Sequence, residues 1–183
     1  MRLPHLFEFM DQAWVPAGVR STLREILECG NSRPFRSYYQ WVADEVERAA
    51  RDGGFKTIVE LGSGTAPITR LLAEKPRADH FRLIPCDVNP DRATYHLLEE
   101  RYPTIVTPMY SPVDFSKPRQ WNSDTLLLLS ATFHHIPPSA RTAVLESLAS
   151  SARRVMIFEP LRKELSSLLF VPLSIVPALI LPL

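Results

Sequence analysis

Cysteine is nearly absent from the chain: Cys29 and Cys86 are the only two in 183 residues, 57 positions apart. Two cysteines cannot build a disulfide scaffold, and this pair lacks the spacing of a zinc site. No metal is therefore expected, and a reducing, cytoplasmic setting is. Net charge is nearly absent as well. The 21 Lys and Arg against 20 Asp and Glu leave +1, so the whole chain has no electrostatic reason to bind nucleic acid. The opening MRLPHLFEFMDQAW puts Pro4, Glu8 and Asp11 where the apolar run of a secretory leader would lie, so none is expected.

The composition that is present suits a packed core: 45% hydrophobic against 22% charged residues. Prolines are plentiful, at 17. Residues 165–183 carry no charge at all. Nineteen residues approach the ~20 that span a bilayer, but Pro172, Pro177 and Pro182 interrupt them. This tail is read as a displaced core segment, a membrane-surface contact or a partner interface.

Residues 1–54 read as a helical N-terminal cap. One helix is expected over 16–29. A second, over 35–51, has Tyr38, Trp41, Val42 and Val46 on one side and ends at Gly53-Gly54. From residue 55 the rhythm changes to short apolar runs alternating with helical patterns. Strands are expected over 56–61, 82–86, 104–107, 124–130 and 154–159. The helices between them are expected to begin after a Thr65 cap, near Arg92, and at Pro137-Pro138, the last with Val144, Leu145 and Leu148 inward. Alternating strands and helices predict an α/β, mostly parallel sheet covered on both faces, with ligands beyond the carboxyl ends of the strands.

The residues after each strand therefore carry the functional reading. Glu60-Leu61-Gly62-Ser63-Gly64-Thr65-Ala66-Pro67 is a tight turn between a strand and a helix, in which glycine lets a ligand approach the backbone. Asp87 follows the second strand, 23 residues after Gly64, where an acid can accept from both hydroxyls of a ribose. No G-K-[S/T] follows the glycine turn, which excludes a P-loop. A nicotinamide dinucleotide is disfavoured because Pro67 stands where its third glycine belongs and Glu60 would repel a pyrophosphate. A nucleoside without phosphates remains.

These residues resemble the class I S-adenosylmethionine-dependent methyltransferases of small-molecule type. Glu60 to Ala66 is similar to their motif I, with Ala66 at the third glycine, and Asp87 matches the acid ending their second strand. Pro112-Val113-Asp114-Phe115 is similar to the segment that meets the adenine. The segment from Leu129 to Pro137 resembles the one after their fourth strand, and Phe158-Glu159-Pro160 the end of their fifth. The resemblance covers about residues 55–162 and implies a Rossmann-like core. It implies S-adenosylmethionine as cofactor, contacted by Glu60, Gly62, Ser63, Gly64, Asp87, Val88, Asp114, Phe115 and Ser130, with Tyr38 closing over from the cap. It also implies transfer of a methyl group to a small-molecule or lipid-like acceptor. A catalytically silent adenosyl-binding domain of the same fold is the alternative.

His134 and His135 are the candidate proton acceptors, with His135 preferred, because they follow the fourth strand and imidazole exchanges protons near neutral pH. Trp14, Phe35, Tyr38, Tyr39 and Trp41 either line a substrate wall or pack the helix onto the core. Related enzymes continue with two more strands after the fifth, so residues 163–183 are expected to leave the sheet without its sixth and seventh.

Overall fold

A computed structural model describes residues 33–159 apart from Pro118, with side chains from residue 36 onward. The expected helix over 16–29, Trp14, Cys29, the Phe35 side chain and the region 163–183, with its missing sixth and seventh strands, lie outside the described residues. Residues 38–159 fall within one compact unit. Among the described residues no helix is long and apolar enough to cross a membrane.

Four strands form the sheet: β1 (Thr57–Leu61), β2 (Arg82–Cys86), β3 (Thr125–Ser130) and β4 (Arg154–Phe158). Their order is β2-β1-β3-β4, and every neighbouring pair is parallel. The register pairs Leu61 with both Cys86 and Leu129, and Ser130 with Phe158. The strands thus end nearly level, and the loops that leave them share one edge.

Leu126, Leu127, Leu128 and Leu129 are all fully buried. Such a run shows no alternation because both faces of a central parallel strand are covered. Leu126 and Leu128 pack into one cluster with Val42 and Val46 of α1 (Arg33–Asp52), Ile68 and Leu72 of α2 (Pro67–Ala73), and Tyr95 and Leu98 of α3 (Arg92–Arg101). Leu127 and Leu129 face the other cluster, with Val144 and Leu148 of α4 (Arg141–Ser151). α1 ends as its sequence foretells, with Gly54 at φ 69° and the Phe55 N–H returning to Ala50 O at 2.8 Å.

Several expectations are corrected. The strand over 104–107 shrinks to a single parallel bridge between Leu83 and Val106. Leu83 N–H donates to Ile105 O, and Thr107 N–H donates to Leu83 O. The next rung would need an N–H from Pro85, which has none, so the ladder lapses until Met109 N–H donates to Pro85 O. Leu145 is exposed rather than inward, and Trp41 lies at the flank of α1, 51% exposed, while Val42 and Val46 take the buried face. Pro137 and Pro138 lie in a turn before α4, which starts at Arg141. α2 begins after Ala66, not Thr65, and Ala66 makes no side-chain cap.

Truncating Leu128 to Ala should cost about 2–5 kcal/mol, the range for a large residue deleted from a rigid core. Leu145→Ala, at an exposed position, should stay within about 0.5 kcal/mol. Urea unfolding of both variants against the parent checks the pair, and equal losses would contradict the burial of β3 between two layers.

Candidate functional site

Three carboxylates at the strand ends organise the loops of the carboxyl edge. Glu60, on β1, is 3% exposed and points into the first turn of α2. Its Oε2 accepts from the Thr69 backbone N–H at 2.8 Å and from the Thr69 hydroxyl at 2.6 Å. The helix start that Ala66 leaves uncapped is thus satisfied from the neighbouring strand. Burial pushes the Glu60 carboxyl up to about 7, against the opposing pull of the Thr69 hydrogen bonds.

Asp87, just past β2, accepts from Gly64 N–H through Oδ2 at 2.9 Å and from Asn89 N–H through Oδ1 at 2.8 Å. The carboxylate is held against the glycine turn, and each oxygen has a second lone pair beyond its backbone bond. The two glycines of that turn serve different ends. At Gly62, with φ 64°, a Cβ would fall 2.2 Å from Thr132 Cγ2, so glycine there admits the β3 loop. At Gly64, with φ 53°, a Cβ would meet nothing within 4 Å. Space beside the backbone lies at Gly64 alone of the two. Ala66 also takes a left-handed conformation, at φ 53° and ψ 51°, which costs an L-residue roughly 1–2 kcal/mol.

Glu159, just past β4, does for the β3 loop what Glu60 does for α2. Its Oε1 accepts from Phe133 N–H at 2.7 Å and Thr132 N–H at 3.2 Å. These donors begin the 3-10 turn Phe133–His135, whose N-cap Thr132 makes no side-chain cap of its own. The Thr132 hydroxyl instead donates to Ser130 O at 2.8 Å and Gly62 O at 3.0 Å, tying the β3 and β1 loops together. Glu159 Oε2 lies 2.7 Å from His134 Nδ1. Burial alone would raise the Glu159 carboxyl, but the hydrogen bond and charge of His134, with the Phe133 and His134 N–H groups, hold it below its ordinary value. The His135 ring lies against that of His134, with centroids 4.3 Å apart.

From the other side, α1 brings Tyr38 to the end of β3, its hydroxyl 3.4 Å from Ser130 Oγ. Burial raises the Tyr38 hydroxyl, and the charge of Glu159 adds to the rise.

The expected site residues thus sort into groups. Gly64 and Asp87 meet directly, Val88 stands beside them 54% exposed, and Ser130, Tyr38 and His134 gather at the β3 end. Ser63 turns inward: its hydroxyl is 2.5 Å from that of the fully buried Tyr95 on α3, and its N–H donates to Cys86 O. Asp114 and Phe115 line a recess with Leu61, Trp121 and Leu148, and the preceding Val113 N–H donates to Asp87 O at 2.8 Å. There Asp114 accepts from the Ser116 hydroxyl and N–H, the first of which chiefly lowers its pKa. The residues that motif reading left out of the site are Glu159, Thr132 and Tyr95. Glu159 carried a signal, being an acid directly after an apolar strand, as Asp87 is. The other two had none, because their roles depend on contacts 70 and 32 positions away along the chain.

No family model matches the chain, and no curated protein does. Solved structures do. The chain is similar to the magnesium protoporphyrin IX methyltransferase of Synechocystis PCC 6803, solved with bound SAH, at TM-score 0.58 and 17% identity, covering 89% of this chain and 76% of that one. It is similar to TnmH at TM-score 0.51 and 20% identity, covering 88% of this chain and 49% of that one. It spans 64% and 41% of the length of two further matched structures. At these identities the likeness establishes the fold, which is the Rossmann-like fold of the class I S-adenosylmethionine-dependent methyltransferases.

The buried Glu60 carboxyl gives a pH test. Its folded value, about 7, lies above the ordinary 4.5, so the folded state holds the extra proton between those values. Its contribution to stability is fully present below about pH 4.5 and is lost as pH rises through 7, a change on the order of 3 kcal/mol. Glu60→Gln should flatten this decline. Unfolding midpoints from pH 5 to 8 check it, and parallel slopes in both proteins would refute it.

Proposed function

We propose that the chain is an S-adenosylmethionine-dependent methyltransferase acting on a small-molecule acceptor through a hydroxyl group. The observation that carries the reading is the contact of Asp87 with Gly64 at the mouth of β1 and β2, with space beside Gly64. These residues fit a neutral nucleoside. Asp87 supplies acceptors for ribose hydroxyls, the backbone at Gly64 admits close approach, and Val88 offers an apolar surface beside them. When bound, S-adenosylmethionine supplies an activated methyl group on a sulfonium. The fold and its likeness to a methyltransferase solved with SAH support the same assignment.

Strand order divides the labour along the edge. Asp87 and Gly64 follow the strands on one side, whereas His134 and Glu159 follow β3 and β4 on the other. With strands about 4.8 Å apart, a nucleoside over β1 and β2 leaves the acceptor over β3 and β4. There Glu159 positions the imidazole of His134 through Nδ1. The imidazole takes the acceptor's hydroxyl proton and the carboxylate stabilises the resulting imidazolium, while bound S-adenosylmethionine would supply the methyl group, its carbon–sulfur bond breaking to leave S-adenosylhomocysteine. Expectation favoured His135 for this role. The Glu159 contact favours His134, with His135 packed against it. Such a dyad argues for an enzyme over a silent adenosyl-binding domain.

Two outcomes test the reading. Titration calorimetry with S-adenosylhomocysteine should give binding to the parent and none to Asp87→Ala, whose circular dichroism stays native. Binding of NAD in place of the adenosyl ligand would overturn the assignment. On a phenolic acceptor, kcat should rise with pH as His134 loses its proton. Glu159→Gln should lower kcat by about 10²–10⁴-fold at most, the worth of a general base, and move the rising limb to lower pH, because the imidazolium loses its anionic partner. An unmoved limb would remove His134 from the proton path.

A further inference from the structure

Three aromatic rings stand at the corner where α1 meets the end of β4. Trp41 lies edge-on to Phe158 with centroids 5.3 Å apart at 90°, and Tyr38 lies 6.4 Å from Trp41 at a tilt of 41°. Trp41 is 51% exposed although Val42 and Val46 beside it are fully buried. An indole left half in water at the rim of a candidate site is an apolar surface that the core does not require. The rings adjoin the polar groups of the edge on two sides. Phe158 is followed directly by Glu159, which holds His134, and the Tyr38 hydroxyl reaches Ser130.

We infer that Tyr38, Trp41 and Phe158 form the acceptor face of the site and that the acceptor is an uncharged, planar aromatic alcohol. This rests on the methyl-transfer reading above. A flat ring gains offset-stacked and edge-to-face contacts from rings set at such angles, which a saturated skeleton does not. Its hydroxyl then projects off the apolar corner toward the His134 imidazole. The ionised Glu159 beside the wall disfavours acceptors that carry a carboxylate or phosphate. Trp41 contributes only contact to the ring, so it sets affinity for the acceptor and not for the adenosyl ligand.

The test uses the full chain with saturating S-adenosylhomocysteine and 2-naphthol as probe, with trans-2-decalol as the saturated analogue. Calorimetry should show 2-naphthol bound at least about fivefold more tightly than the decalol. Trp41→Ala should weaken 2-naphthol by a similar factor, and Trp41→Phe should restore most of it. Affinity for S-adenosylhomocysteine should be unchanged in both variants. Equal affinity for the two alcohols, undiminished 2-naphthol binding to Trp41→Ala, or no 2-naphthol binding to the parent would each overturn the aromatic face. Failure of the parent to bind S-adenosylhomocysteine would instead overturn the methyl-transfer reading, since the two ligands are measured separately.

Discussion

The loops of this carboxyl edge depend on carboxylates that satisfy backbone N–H groups belonging to other segments. A strand that runs into a helix or a tight turn leaves unpaired donors where the chain changes direction. In most helices a Ser, Thr, Asn or Asp at the N-cap accepts one of them. Here Ala66 and Thr132 occupy those positions without capping, and Glu60 and Glu159 reach in from neighbouring strands. Asp87 does the same for Gly64. Each carboxylate therefore spans two segments, and the edge is braced across strands as well as along the chain.

That bracing explains the separate fates of the three acids. Glu60 is enclosed, so burial raises its carboxyl to about 7, and it accepts from the Thr69 N–H and hydroxyl. Asp87 sits beside the open space at Gly64 and accepts from the Gly64 and Asn89 N–H groups. Glu159 lies between these extremes, half enclosed, its carboxyl held low by His134 and backbone donors. One chemical group yields a helix cap, a brace on the glycine turn and a partner for an imidazole, according to depth and partners.

The same edge couples packing to chemistry through Thr132. Its hydroxyl donates to Gly62 O, and its methyl occupies the space that a Cβ at Gly62 would need. The first glycine of the motif brings the β1 and β3 loops together. Gly64, two residues on, is left to face the open side. Two alanines in these loops, Ala66 and Ala131, take the left-handed conformation at φ 53°.

Periodicity and punctuation alone determined much of this protein. The parallel α/β sheet, the placement of Asp87 beyond β2, and the imidazoles beyond β3 follow from apolar runs, glycine turns and chain order, which are local properties. Sequence also supplied the motif around Gly62 and Gly64, but not which glycine has open space beside it. Tertiary structure decided that, because the answer depends on where Thr132 arrives from 70 residues away. It likewise turned Ser63 toward Tyr95, sent Glu60 under α2, and gave His134 rather than His135 the Glu159 carboxylate. It reduced the expected third strand to one bridge, since only the register against Pro85 reveals the missing rung. Periodicity records which residues are buried. Which carboxylate meets which donor is a matter of a few ångströms across strands, and that distance exists only in the folded chain.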